Sequence, residues 1–179
     1  GLRSPTSKDG NMVLKREGNI LDSGADVICH QVNCQGVMNS GVAKAIRQKW
    51  PKVYTEYKAK CDYEEATIND LYGKNESPVD WSECLLGDVQ VVFVDENKIV
   101  INMFAQQYYG YDQKRYTSYD AFWTCLGGIK EKIPKGKRIA FPARIGCVRG
   151  GANWEVIQTM IVRVLAEDYI VEFWDYDKG

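Results

Sequence analysis

Hydrophobic residues along the chain follow two alternating patterns: short apolar runs, and longer segments with helical spacing. The short runs predict strands at 12–16, 27–32, 88–94, 98–104, 138–142 and 169–174. The helical spacing predicts helices at 41–50, from Pro51 through Tyr57, at 118–133 and at 153–167. Because strands and helices alternate from residue 27 onward, the sequence predicts an α/β protein with helices on both faces of a mostly parallel sheet.

Four segments show neither the short apolar runs nor the helical spacing. Residues 1–10 are polar, and we expect a flexible N-terminal segment there. Residues 63–83 are polar, acidic and aperiodic, which predicts an excursion over the surface. Residues 106–117 and 144–152 are rich in glycine, the former also in tyrosine, and are predicted to be loops. A chain of 179 residues is of ordinary size for one domain, so residues 11–179 are expected to form a single domain.

Composition excludes several classes of protein. A net charge of −1 argues against a general nucleic-acid-binding protein. No apolar run approaches the ~20 residues of a membrane helix, and residues 1–10 lack the apolar core of a signal peptide. The six cysteines form no CxxC pair, which favours free thiols in a reducing compartment; we expect a cytoplasmic monomer. His30 is the single histidine, which excludes HExxH metalloproteases and three-His zinc sites. We expect no metal and no cofactor.

Two glycine-rich loops stand between a predicted strand and a predicted helix, at residues 32–41 and 142–151. Small residues before a helix leave backbone N–H groups free to bind an anion. Two such loops on neighbouring strands could hold a diphosphate between them. Alternatively, the glycines only permit tight turns. Neither loop matches the phosphate-binding GxxxxGK[ST] motif, and neither gives a convincing dinucleotide-binding GxGxxG motif.

The sequence resembles a macrodomain over residues 11–176. The resemblance is carried by Gly18-Asn19-Ile20, by residues 25–28, by the run from His30 to Ala43, and by two segments of the second loop, 141–147 and 150–154. The resemblance is closest to the branch that contains the ADP-ribose 1''-phosphate processing macrodomains of bacteria and phages and the terminal ADP-ribose glycohydrolases. It implies a three-layer α/β/α fold with a central mixed, mostly parallel sheet.

The resemblance also implies a cleft for ADP-ribose at the carboxyl edge of the sheet. Asn19 stands where the family usually has the acidic residue that binds adenine, and Phe104 is expected to flank the distal ribose. Phe173 or Tyr176 could flank adenine; the alternative is simple packing at the edge of the sheet. The implied ADP-ribose contacts are Asn19, Ile20, Asn33, Gly36, Val37, Met38, Asn39, Ser40, Gly41, Val42, Phe104, Ile145, Gly146, Cys147, Val148, Arg149 and Gly150.

Catalysis is less clearly implied. The glycohydrolase branch has a lysine after the strand at 99–104, and this chain has none there. Some members also have an aspartate in the second loop, where this chain has Gly150. His30 is the remaining candidate for general acid–base catalysis, the alternative being a buried, hydrogen-bonded spacer. Cys34 and Cys147 are expected to be packing thiols rather than nucleophiles.

Two further features keep alternatives open. Arg144 and Arg149 could neutralise phosphate, although Arg144 could equally belong to a surface ion pair. The tyrosines at 108–111 are either a lid over the ribose or a surface loop. The predicted function is binding of free ADP-ribose or of an ADP-ribosylated macromolecule, with no membrane partner. The alternatives are an ADP-ribosyl hydrolase and an ADP-ribose 1''-phosphate phosphatase.

Overall fold

The computed structural model describes residues 2–5 and 12–176. Seven strands and four α-helices account for most of these residues. The strands are β1 (Leu2–Pro5), β2 (Met12–Glu17), β3 (Val27–Asn33), β4 (Val89–Asp95), β5 (Lys98–Gln106), β6 (Arg138–Pro142) and β7 (Ile170–Asp175). The helices are α1 (Gly41–Lys49), α2 (Pro51–Tyr72), α3 (Tyr119–Lys132) and α4 (Trp154–Leu165), with short 3-10 helices at Ile20–Asp22 and Trp81–Leu85.

The strands form one mixed sheet in the order β1-β2-β7-β6-β3-β5-β4. The five inner strands, from β2 to β5, are parallel to one another, and the two edge strands run antiparallel to their neighbours. The predicted α/β class and mostly parallel sheet are therefore confirmed. Strand β3 lies near the centre, between β6 and β5, so loops that follow it open onto the middle of the sheet edge.

Helices cover both faces of the sheet and divide the core into two halves. Helices α1 and α2 pack on one face, where the buried residues include Ile28, Ile46 and Tyr57. Helices α3 and α4 pack on the other face, where the buried residues include Cys29 of β3 and Phe122 of α3. The three-layer arrangement expected from the resemblance is confirmed. No helix of residues 12–176 is long and apolar enough to cross a membrane.

The largest error in the predicted elements concerns residues 63–83. The structure continues α2 to Tyr72 and places a 3-10 helix at Trp81–Leu85, where an irregular excursion is expected. The last buried residue of α2 is Cys61, and Tyr63 and Leu71 are exposed. This end of the helix is polar around most of its circumference, so its sequence has no helical period to detect.

The expected flexible segment 1–10 falls mainly outside the described residues. Within it the structure describes β1 at Leu2–Pro5, which pairs antiparallel with β2. The boundary at residue 11 stays a prediction.

Candidate functional site

A cleft of about 370 Å³ opens at the carboxyl ends of β3, β5 and β6. Its walls come from four places in the chain: the end of β3, the first glycine loop with the start of α1, the tyrosine-rich loop after β5, and the second glycine loop after β6. Its lining residues are His30, Gln31, Val32, Asn33, Val37, Met38, Asn39, Ser40, Gly41, Val42, Ala43, Gln106, Tyr109, Gly110, Tyr111, Pro142, Ala143, Arg144, Ile145, Gly146, Val148, Arg149 and Gly150. The volume is within the usual range of small-molecule sites.

The first glycine loop is held from below by Tyr57 of α2. The Tyr57 hydroxyl accepts hydrogen bonds from the backbone N–H groups of Gly36 (3.0 Å) and Val37 (3.1 Å). Asn33 closes the loop from the other side, because its amide donates to the carbonyl oxygen of Val37 at 2.9 Å. Burial raises the pKa of the Tyr57 hydroxyl, which therefore remains a protonated donor as well. The loop conformation is thus set by side chains beneath it.

The start of α1 presents free backbone donors to the cleft. Ser40 occupies the N-cap position, yet its side chain makes no capping hydrogen bond. Among the described residues, the N–H groups of Gly41, Val42 and Ala43 have no acceptor, and all three residues line the cleft. Unpaired first-turn N–H groups and the positive end of the helix dipole favour an anion here.

Helix α4 differs from α1 in this respect. The side chain of Asn153 caps α4 by accepting from the N–H of Val156 at 3.3 Å, and neither residue lines the cleft. The second glycine loop therefore offers its own backbone rather than a helix end. Within the described part of the chain, the N–H groups of Gly146, Val148 and Gly150 have no acceptor.

Three polar side chains fix the second loop to the sheet. Gln31 of β3 donates to the side-chain oxygens of Gln106 and Thr117, both at 2.8 Å. Thr117 in turn donates to the carbonyl oxygen of Gly146 at 2.8 Å. A Cβ atom at Gly146 would lie 2.9 Å from Oε1 of Gln31, and one at Gly150 would overlap Oγ1 of Thr117. Glycine is required at both positions because the loop lies directly on these side chains.

The tyrosine-rich loop reaches the second glycine loop across the mouth of the cleft. The guanidinium carbon of Arg149 lies 4.5 Å from the ring centroid of Tyr111, which is a cation–π contact. Tyr109 and Gly110 line the cleft next to Tyr111. Tyr108 does not line the cleft, and its hydroxyl donates a hydrogen bond to the carboxylate of Asp80 at 2.5 Å. This position of the loop is compatible with a lid, which is one of the two alternatives for these tyrosines.

The two arginines of the second loop have different surroundings. Arg144 forms an ion pair with Asp175 at 3.0 Å, which is the surface ion pair weighed as its alternative role. Arg149 has its Tyr111 contact and no ion-pair partner among the described residues. Arg149 is therefore the cation more readily available to a bound phosphate.

His30 lies at the floor of the cleft and is 1% exposed. Its Nε2 donates to Oδ1 of Asn102 on the neighbouring strand at 2.5 Å. Burial lowers the pKa of His30 to about 4, although the Asn102 hydrogen bond opposes this shift. The imidazole is accordingly neutral at pH 7, which favours the hydrogen-bonded spacer over a general acid.

The thiols are not activated. Burial raises the pKa of Cys34 well above its usual value, and burial raises the pKa of Cys147 to about 11 despite the opposing charge of Arg144. Neither thiol is ionised at neutral pH, so both behave as packing groups. The six cysteines all lie in the described part of the chain, and none forms a disulfide.

Twelve of the seventeen predicted contacts line the cleft: Asn33, Val37, Met38, Asn39, Ser40, Gly41, Val42, Ile145, Gly146, Val148, Arg149 and Gly150. Five do not: Asn19, Ile20, Gly36, Phe104 and Cys147. Asn19 instead caps the 3-10 helix at Ile20–Asp22, where its side chain accepts from the N–H of Leu21 at 3.0 Å.

The expectation for Phe104 needs correction. β5 continues to Gln106, so Phe104 is inside the strand and fully buried, with its ring centroid 5.7 Å from that of Tyr57. It supports the first loop from within the core instead of flanking a ligand. Phe173 is likewise buried, against Trp154, whereas Tyr176 is exposed.

Sequence reasoning missed the residues that hold the loops: Gln31, Tyr57, Gln106 and Thr117. None belongs to a glycine motif, and a single polar residue in an apolar strand gives no sign of its partner. The one available signal is that Gln31 and Gln106 are amides in otherwise apolar strands, where burial demands a hydrogen-bond partner.

Solved structures with the same architecture were found over nearly the whole chain. The macrodomain of Mycobacterium tuberculosis DarG superposes with a TM-score of 0.69 at 21% identity, covering 92% of this chain and 98% of that one. This chain has the macrodomain fold. DarTG of Thermosipho africanus, solved in complex with ADP-ribose, superposes with a TM-score of 0.64 at 18% identity, covering 92% of this chain and 42% of that one.

Curated relatives match shorter segments. A DNA ADP-ribosyl glycohydrolase of Mycobacterium tuberculosis is 30% identical over 61 residues, which is 34% of this chain and 17% of that protein. An ADP-ribose 1''-phosphate phosphatase of Aspergillus clavatus is 39% identical over 51 residues, or 27% of this chain and 25% of that protein. The matches thus span a quarter or less of these relatives' lengths. No protein-family model matches the chain.

Proposed function

We propose that the chain binds ADP-ribose, free or attached to a macromolecule, in the cleft between its two glycine loops. The observation that carries the proposal is the pair of loops whose unpaired N–H groups line one cleft. Gly41 and Val42 contribute donors from one side, and Gly146, Val148 and Gly150 contribute donors from the other. Donors on two sides suit a diphosphate better than a single phosphate.

The surroundings of these donors support an anionic ligand. The side chain of Arg149 lines the same cleft, and no aspartate or glutamate is among its lining residues. The solved complex of a protein with the same fold with ADP-ribose supports the same assignment. We assign Asn33, the loop 37–42, Arg149 and the loop 145–150 to the binding site on this basis.

Calorimetric titration tests the proposal. ADP-ribose should bind with a stoichiometry of one, and AMP, which lacks the second phosphate and the distal ribose, should bind more weakly. Equal affinities for AMP and ADP-ribose would contradict a site built around a diphosphate. The absence of any ADP-ribose binding by a folded protein would reject the function altogether.

Hydrolysis of ADP-ribosyl conjugates or of ADP-ribose 1''-phosphate is the second candidate, favoured by the names of the two curated relatives. The cleft offers little for either reaction. Its lining residues include no lysine and no carboxylate, and His30 is neutral at pH 7. We therefore place binding first. Incubation with Glu-, Ser- and DNA-linked ADP-ribose and with ADP-ribose 1''-phosphate, followed by mass spectrometry of the products, distinguishes the candidates.

The remaining parts of the proposal concern context. A monomer in a reducing, cytoplasmic compartment agrees with the six free thiols. No cluster of metal-ligating side chains occurs in the part of the chain that the structure describes. Elution at the monomer mass in size-exclusion chromatography with light scattering is the expected result.

A further inference from the structure

A series of side-chain hydrogen bonds runs across three strands and ends at the buried ring of His30. The amide of Gln90 on β4 donates to the backbone carbonyl of Glu56 in α2 at 2.9 Å. Its oxygen accepts from the amide of Asn102 on β5 at 3.0 Å, and the oxygen of Asn102 accepts from Nε2 of His30 at 2.5 Å. These residues lie directly opposite one another in the sheet register, His30 beside Asn102 and Asn102 beside Gln90.

The bond to the backbone carbonyl of Glu56 fixes the orientation of each amide in this series of hydrogen bonds. A carbonyl oxygen can only accept, so Gln90 must point its NH₂ group toward Glu56 and its oxygen toward Asn102. The Asn102 amide is then oriented with its oxygen toward His30. The ring proton of the neutral imidazole must consequently be on Nε2, which leaves Nδ1 with a lone pair.

The Nδ1 atom of His30 is fully buried and has no hydrogen-bond partner among the described residues. A buried acceptor without a partner is costly, by the desolvation that it does not recover. His30 is nevertheless one of the lining residues of the cleft. The site therefore contains a fixed acceptor and lacks the matching donor.

We propose that Nδ1 of His30 accepts a hydrogen bond from a ribose hydroxyl of the bound ligand, and that Asn102 and Gln90 are positioning residues that hold the ring in the accepting tautomer. The inference rests on the proposed binding of ADP-ribose. Phosphate oxygens are acceptors at neutral pH and cannot satisfy a second acceptor, whereas a ribose hydroxyl can donate. His30 would thus select for sugar at this point of the cleft and against phosphate.

The single histidine makes the tautomer directly measurable. In a long-range ¹H–¹⁵N correlation spectrum of the ¹⁵N-labelled protein, the one imidazole should show a protonated Nε2 and an unprotonated Nδ1 at pH 7. Saturation with ADP-ribose should move the Nδ1 resonance upfield, as expected for a nitrogen that accepts a hydrogen bond, while Nε2 changes little. A proton on Nδ1 in the free protein, or an unchanged Nδ1 resonance at saturation, would overturn the inference.

Two substitutions separate a ligand contact from a structural role. His30→Gln places an amide near the position of Nε2, so it keeps a donor to Asn102 and loses the Nδ1 acceptor. His30→Asn places an oxygen near the position of Nδ1 and loses the bond to Asn102. The inference predicts that the His30→Gln protein binds ADP-ribose about three- to tenfold more weakly than the wild type. Its melting temperature should stay near that of the wild type. Asn should retain more of the affinity and lose more of the thermal stability.

Equal affinity of the Gln variant and the wild type would refute the contact, and so would the reverse order of the two variants. Cys125→Ala, a buried thiol on the opposite face of the sheet, controls for mild destabilisation and should leave ADP-ribose affinity unchanged. Calorimetry on the same samples separates the two failures. Binding of ADP-ribose without a shift of the Nδ1 resonance would refute this inference and leave the proposed function standing. The absence of ADP-ribose binding by a folded protein would refute the proposed function.

Discussion

The Tyr57 hydroxyl lies 2.7 Å from both the backbone oxygen and the side-chain oxygen of Asn33, and so connects helix α2 to the end of the central strand. The same hydroxyl accepts from the N–H groups of Gly36 and Val37. One buried oxygen atom therefore fixes the backbone of the first glycine loop at three points.

Tyr57→Phe should destabilise the protein by about 1–3 kcal/mol, because the buried N–H group of Gly36 and the partly buried N–H group of Val37 lose their acceptor. The loop would also lose its preformed shape, so ADP-ribose affinity should fall as well. Urea unfolding and calorimetry measure the two effects. Tyr54→Phe is the matched control, since the Tyr54 hydroxyl has a single long contact of 3.4 Å to Gly36 and its loss should matter little.

Gly41→Glu should abolish ADP-ribose binding and leave the protein folded. A Cβ atom at Gly41 meets nothing within 4 Å, so a side chain can extend into the cleft, where its negative charge opposes the anion at the start of α1. Gly41→Ala carries the same backbone strain, since φ is +59°, without filling the cleft. Retained binding by a folded Glu variant would argue against an anion at this position.

Gly146→Ala should behave differently and lower the melting temperature. The added methyl group would lie 2.9 Å from Oε1 of Gln31 and 3.2 Å from Oγ1 of Thr117, so the loop must move away from the sheet. Differential scanning calorimetry of the Gly41→Ala and Gly146→Ala proteins compares the two loops directly. A smaller loss of stability at Gly146 than at Gly41 would show that the second loop is not held as tightly as its contacts indicate.

The contact between Arg149 and Tyr111 should slow the release of ligand. Tyr111→Ala removes the ring and should raise the ADP-ribose dissociation rate about two- to fivefold, the usual worth of an exposed cation–π contact. Tyr111→Phe keeps the ring and should dissociate at the wild-type rate. Stopped-flow displacement by excess unlabelled ADP-ribose measures both rates, and equal rates for all three proteins would mean that the loop is not a lid.

His30 makes stability depend on pH in a predictable direction. Its pKa is about 4 in the folded protein and 6.5 in a free chain, so between these values the unfolded state binds a proton that the folded state does not. The free energy of unfolding should therefore decrease as pH falls from 6.5 to 4, by about 3 kcal/mol from this group, and change no further below pH 4.

His30→Gln lacks this titration and serves as the reference. Urea unfolding of both proteins between pH 7 and pH 4 isolates the contribution of the histidine, because the carboxylates are common to the two. Parallel stability curves would show that the ring titrates normally and is less buried than its surroundings suggest.

The sequence predicted most elements because each has a clear period. The amphipathic pattern of α4 and the apolar run of β3 are examples, and both elements occur within two residues of their predicted bounds. The outer end of α2 was missed because it packs against little and so carries no apolar stripe. A helix stabilised mainly by its own backbone and local side chains leaves no periodic signal.

The sequence predicted the two glycine loops of the candidate site, but it did not predict the side chains that hold these loops in place. The glycines of both loops were identified because anion binding needs exposed backbone, which a motif records locally. The supports join residues far apart in sequence, such as Gln31 with Thr117, and no local pattern records such a pair. Phe104 was misplaced for a related reason: nothing in the sequence indicates that β5 continues to Gln106.

The packing at Gly150 limits whether the second loop can carry a carboxylate. An aspartate in the second loop is the simplest addition that could supply a catalytic carboxylate, but a Cβ atom at Gly150 would collide with the Thr117 side chain. Thr117 also holds Gly146 and Gln31 in place, so it cannot be trimmed without loosening the loop. A carboxylate at this position therefore requires a second change that relieves the collision, and a single substitution at Gly150 does not provide it without displacing the loop.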